Sequence, residues 1–206
     1  MRLRKHTRRH VTLLFATLLF AALIGSIASP CLAQTDAGGT PADWINKLAG
    51  LETVPDLDIA ALRQQAAERV KSKADGVPIK RPPVAPQLTG LPQLIVQVRF
   101  DEDAAVIRPE SYRTLGRVAD ALYHPSLLAY KFLIVGHTVA TGRREPNLTL
   151  SQKRADAIRG ALVTAFKISP KRLQGIGLGE EQLLDAAHPT APINQQVEVA
   201  TVGKAF

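Results

Sequence analysis

Residues 132–166 read FLIVGHTVATGRREPNLTLSQKRADAIRGALVTAF, and a change of period inside that stretch decides the fold. Phe132–Val135 is a continuous apolar run bounded by Gly136, the pattern of a buried central strand. From about Thr149 the period becomes helical, with Thr149 and Gln152 in a capping-box arrangement. Set out at about 100° per residue from Leu150, the side chains of Leu150, Ala161, Ala165, Ile158, Leu162, Ala155 and Phe166 fall in one arc of roughly 160°. Lys153, Asp156 and Arg159 fall outside it. Arg154 falls inside. A guanidinium among core-facing residues must be paired or line a cleft, because burying it alone costs several kcal/mol. The alternative is a long stem that snorkels to water or meets an internal carboxylate.

The same reading extends outward in both directions. Leu94, Val96, Val98 and Phe100 alternate with Ile95, Gln97 and Arg99, the period-two mark of a strand with one buried face. Pro109 opens a helix whose apolar face is Tyr112, Leu115, Val118, Ala119 and Leu122, and His124-Pro125 ends it. Gly175-Ile-Gly177-Leu-Gly179 lacks the Lys-Ser/Thr and long helix of a phosphate loop and reads as a turn. Val197 and Val199 alternate with Gln196 and Glu198 as a last strand. The order is β-α-β-α, then a short strand or loop, then β. That order makes an α/β (α+β) domain, helices packed on a small mixed sheet, over residues 94–206.

Upstream, the net charge of +8 invites a nucleic-acid reading that its distribution denies. Residues 1–33 hold Arg2, Arg4, Lys5, Arg8 and Arg9 and no acidic residue; without them 21 basic face 18 acidic side chains, a balance of +3. No nucleic-acid partner is expected. Met1–His10 is a positive n-region, Val11–Ala28 an uncharged apolar run, and Cys31-Leu32-Ala33 sets small residues before a cut at Gln34. The run of 18 residues is also at the short limit for a membrane span, so an uncleaved inner-membrane anchor is the rival outcome. Arg8-Arg9 leaves Sec and twin-arginine export both open. Cys31 lacks the neighbours of a lipidation site. Cleavage before Gln34 would leave a chain with no cysteine, which excludes thiol catalysis and cysteine-ligated metal.

Residues 34–93 read as a tether rather than a second compact domain. Trp44 marks a helical turn, and Asp56 or Asp58 caps a helix in which Ile59, Leu62, Ala66 and Val70 recur at helical spacing. So narrow a stripe has to lie against the domain or a partner. Pro78, Pro82, Pro83, Pro86 and Pro92 make Gly76–Pro92 an extended, semi-rigid spacer. Residues 94–203 are expected to fold alone.

Gly136-His137-Thr138, Thr141-Gly142, Asn147, Leu150-Ser151 and Arg154-Ala155 together resemble the signature of the OmpA/MotB family of peptidoglycan-binding domains. Phe100, Ile107-Arg-Pro-Glu110, Gly177-Leu-Gly-Glu180 and Asn194-Gln-Gln-Val-Glu198 follow in the family's order, so the resemblance covers about residues 94–203. It implies an envelope protein that holds peptidoglycan non-covalently and anchors the outer membrane, or an envelope protein partner, to the cell wall. In that family a strand-end Asp and a helix Arg hold diaminopimelate, the carboxylate receiving the ammonium and the guanidinium the carboxylate. By position the ligand-binding residues here are Thr138, Val139, Asn147 and Arg154. Val139 stands where the family has Asp, and Gln195-Gln196 where it commonly has an Arg pair. A charge-assisted hydrogen bond contributes about 1.5–3 kcal/mol, so the missing Asp alone weakens binding roughly ten- to a hundredfold. The resemblance therefore leaves two classes of function: a wall-binding module, or an interaction module that kept the fold and lost the ligand.

Nothing in the sequence suggests an enzyme or a cofactor. His137 reads as a strand-end hydrogen-bonder, while His124 and His188 each precede a proline, and none is spaced like a metal ligand. Arg143-Arg144 and Lys171-Arg172 read as solvated surface pairs.

Overall fold

The computed structural model describes residues 39–55, 57–72 and 81–205. The export segment, Cys31, Asp56 and the first part of the proline-containing spacer lie outside the described residues.

Four strands form one mixed sheet in the order β1-β4-β2-β3: β1 (Gln93–Val96), β2 (Tyr130–His137), β3 (Leu173–Gly179) and β4 (Val197–Lys204). β4 runs antiparallel to both β1 and β2, while β2 and β3 are parallel. The apolar run at 132–135 is explained by what covers it. Phe132 and Ile134 face one cluster, shared with α3 (Tyr112–Leu122) and α4 (Arg144–Thr164). Leu133 and Val135 face a second cluster with Ile176 and Leu178 of β3. A strand buried on both faces has no polar positions to alternate with.

The second face is covered by the segment expected to be a tether. In α2 (Ile59–Lys71), Ile59, Leu62, Ala66 and Val70 form the stripe that the sequence indicated, and they pack with Val84, Ala85 and Leu88 over Leu133 and Val135. Asp58 caps the helix, its carboxylate accepting from Ala60 and Ala61 at 2.9 and 3.0 Å. α1 (Pro41–Leu48) serves the first face: Trp44 and Leu48 are fully buried there. Thr40 and Asp43 close a capping box at its start. Truncating a buried Trp costs about 3–5 kcal/mol, so α1 is a structural part of the core. The second half of the proline-containing spacer is likewise packed rather than extended, with a short 3-10 turn at Pro86–Leu88.

Three local expectations are corrected. α4 begins at Arg144, five residues before the Thr149 capping-box pattern, and ends at Thr164, so Ala165 is exposed. The expected turn at Gly175–Gly179 is the strand β3, and its glycines are there for α4. A Cβ at Gly177 would stand 2.1 Å from the Gln152 backbone nitrogen, and one at Gly136 would stand 2.4 Å from the Ser151 carbonyl oxygen. The helix thus lies directly on the sheet backbone, where Ser151 Oγ accepts from the Gly179 amide at 2.9 Å. Gln152 Oε1 accepts from Gly177 at 2.8 Å, which also caps the outer edge of β3. Third, neither basic pair is solvated throughout. Arg172 is buried, donates to the Tyr130, Leu122 and Leu127 carbonyls, and lies 5.4 Å over the Phe132 ring. Arg144 forms an inner ion pair described below.

Candidate functional site

β2 ends at His137 and α4 starts at Arg144, and the loop between them forms one wall of a cleft of about 490 Å³. Thr138, Val139, Asn147 and Arg154 all line it, as do Gln195 and Gln196. The sequence placed these residues in one site, and the structure brings them together. The facing wall is the narrow hairpin Arg99–Arg108. It is held by the Phe100–Ile107 bridge, an Arg108 N–H to Arg99 carbonyl bond of 2.9 Å, and one from Asp101 to Val106 of 3.0 Å.

Arg154 takes the cleft-lining alternative. It is half-buried, its Nε donates to the Ala104 carbonyl at 3.0 Å, and its guanidinium lies 4.9 Å from the centre of the Phe100 ring. Its terminal nitrogens have no hydrogen-bond partner among the described residues. Burial draws the pKa of this group below the ordinary arginine value, and the nearby Asp103 carboxylate acts in the opposite sense. An arginine so placed remains a cation, with a planar donor fork available to a carboxylate.

Thr138 anchors its backbone through its N–H to the Gly179 carbonyl at 3.0 Å. The residue is 4% exposed, and Oγ1 has no partner among the described residues. A buried hydroxyl left unmatched costs about 1–3 kcal/mol, a deficit that a ligand can remove. Val139 offers the cleft only hydrocarbon. Asn147 lines the cleft with its amide nitrogen already engaged. Its amide nitrogen donates to Glu180 Oε2 at 2.6 Å and Thr141 Oγ1 at 2.9 Å, and approaches the Val139 carbonyl at 3.4 Å. It fixes the loop that carries Thr138 and Val139.

Glu180 and Glu181 are the residues whose part the sequence hid. Both are buried. Glu180 Oε2 also accepts from the Gly142 amide at 3.1 Å, while its Oε1 meets Arg81 at 3.1 Å. Glu181 is shared by Arg81 at 3.0 Å and Arg144 at 2.8 Å. Two buried carboxylates between two guanidiniums satisfy the requirement that inner charges be paired. His137 is the strand-end hydrogen-bonder expected of it: Nδ1 lies 2.8 Å from the Gln182 carbonyl and Nε2 3.5 Å from Glu198. On the far side, Asn194 donates to the Asp185, His188 and Pro189 carbonyls, and that loop receives the Ala140 amide.

A mixed four-stranded sheet with a helix laid on its glycines, and a polar cleft where the second strand meets that helix, defines a small α+β module. Residues 99–196 match the OmpA family model, the stretch that holds β2, β3, α4 and most of the cleft. Outer membrane porin F of Pseudomonas fluorescens is 30% identical over 112 residues, which cover 53% of this chain and 33% of that protein. The peptidoglycan-associated lipoprotein of Mesorhizobium japonicum is 35% identical over 86 residues, 42% of this chain and 49% of the relative. The chain thus spans half the length or less of these curated relatives. The crystal structure of the peptidoglycan-associated lipoprotein from Burkholderia pseudomallei aligns at 29% identity and a TM-score of 0.41, over 50% of this chain and 87% of that one. Among the described residues no helix is long and apolar enough to cross a membrane.

Proposed function

We propose that the chain is an exported envelope protein whose OmpA-family domain binds peptidoglycan non-covalently, tying the outer membrane or an envelope complex to the cell wall. The observation that carries the reading is Arg154, a half-buried cation whose terminal nitrogens are unspent in a cleft beside the unmatched Thr138 hydroxyl. One end of diaminopimelate is an α-amino acid, and its carboxylate is the natural partner for that fork. A relative whose name includes peptidoglycan association supports the same ligand class. The mature chain is placed in the periplasm, beginning at Gln34, or held at the inner membrane if the leader stays.

One observation favours a second reading, an interaction module that kept the fold without the ligand. Val139, Gln195 and Gln196 bring no charge to the cleft, and the Asn147 amide is already engaged. Co-sedimentation of the mature chain with insoluble peptidoglycan separates the two. Recovery in the pellet supports wall binding; a fully soluble protein supports the interaction module.

A further inference from the structure

The two walls of the cleft come from distant parts of the chain and differ in net charge. One carries Arg143 and Arg154; on the hairpin, Asp101, Glu102 and Asp103 stand against Arg99 and Arg108. Arg154 rises from α4, while the tip of the Arg99–Arg108 hairpin presents Asp101, Glu102 and Asp103. Asp101 is paired with Arg108 at 3.2 Å. Asp103 makes no hydrogen bond or ion pair among the described residues, yet its charge is felt at Arg154. Its backbone is left-handed, with φ +50°, a conformation that Asp tolerates better than most residues. The next residue, Ala104, gives its carbonyl to Arg154 Nε at 3.0 Å, which ties the loop bearing the anion to the cation. Thr138 supplies an independent sign of a ligand: it lines the same cleft, nine-tenths buried, with no partner for its hydroxyl.

We propose that Asp103 and Arg154 form a zwitterion clamp, Arg154 taking the carboxylate and Asp103 the ammonium of one amino-acid end of the ligand. Thr138 Oγ1 donates to the same carboxylate. Val139 leaves the strand-end wall without a counter-ion, and Asp103 supplies one from the opposite wall. The clamp rests on the cell-wall reading above and adds a specificity to it. A ligand with a carboxylate but no neighbouring ammonium meets Asp103 as an unpaired like charge and is disfavoured.

The test is calorimetry with the full mature chain and two soluble stem peptides. One contains diaminopimelate; the other is identical except that the distal amine is deleted. Wild type is expected to prefer the first by about tenfold or more. Asp103→Asn keeps a residue that accepts the left-handed backbone and removes only the charge. It should lose that preference by weakening the first peptide, with the amine-deleted peptide bound no less tightly than before. An undiminished preference in the variant, or equal weakening of both peptides, overturns the clamp while leaving wall binding intact. Failure of the wild type to bind either peptide overturns the clamp and the cell-wall reading together.

Discussion

Arg154 spends one nitrogen on Ala104 and one face on Phe100, and the rest of its fork looks into the cleft. Half-burial raises the strength of any ion contact it makes, because less water competes. Val139→Asp tests that environment directly. A carboxylate there would stand on the wall shared with the Arg154 cation, which would keep it ionised at neutral pH. Affinity for a diaminopimelate peptide should rise about tenfold in titration calorimetry, and no change would mean that Val139 does not face the ligand. Arg154 could be found in the sequence because a charge inside an apolar helical arc breaks a period. Asp103 could not, since a hairpin tip has no period to break. Glu180 and Glu181 were equally hidden, because their partners Arg81 and Arg144 lie about a hundred and about forty residues away.

At the scale of elements, the contact between α4 and the sheet sets the geometry of the cleft. That contact is backbone on backbone at Gly136 and Gly177. Gly177→Ala should push helix and strand apart and lower stability by about 1–3 kcal/mol or more, the cost of overpacking a close contact. Gly160→Ala is the matched control in the same helix, because a Cβ there meets nothing within 4 Å. It should raise stability by about 0.5–1 kcal/mol through helix propensity. Thermal unfolding of both variants decides; equal melting temperatures would contradict the close packing described. The strand β3 reads as a turn in the sequence for this same reason. Glycines read as breakers in sequence, and only the neighbouring helix shows that they are required for proximity. The start of α4 is illegible in the sequence because Arg144-Glu-Pro-Asn147 carries no apolar stripe. Its first turn is held by Glu181 and Glu180 instead.

For the whole molecule, both faces of the sheet depend on chain that precedes β1. A fragment beginning at residue 94 would expose Leu133, Val135, Ile176 and Leu178 on one face and the Trp44 site on the other. We expect such a fragment to melt well below the mature chain and to self-associate in sedimentation. A monomeric fragment of unchanged stability would instead support the boundary expected at residue 94. The leader is tested separately: N-terminal sequencing of the envelope fraction should begin at Gln34, and a membrane-embedded chain starting at Met1 would contradict cleavage. The central claim is that this cleft binds the wall through Arg154. Its most direct test is co-sedimentation of the mature chain with insoluble peptidoglycan, for wild type beside Arg154→Ala. The account predicts that the wild type pellets and the folded variant stays soluble, a loss of about 2–4 kcal/mol for a partly buried ion contact. A folded Arg154→Ala protein that pellets as well as the wild type would contradict it.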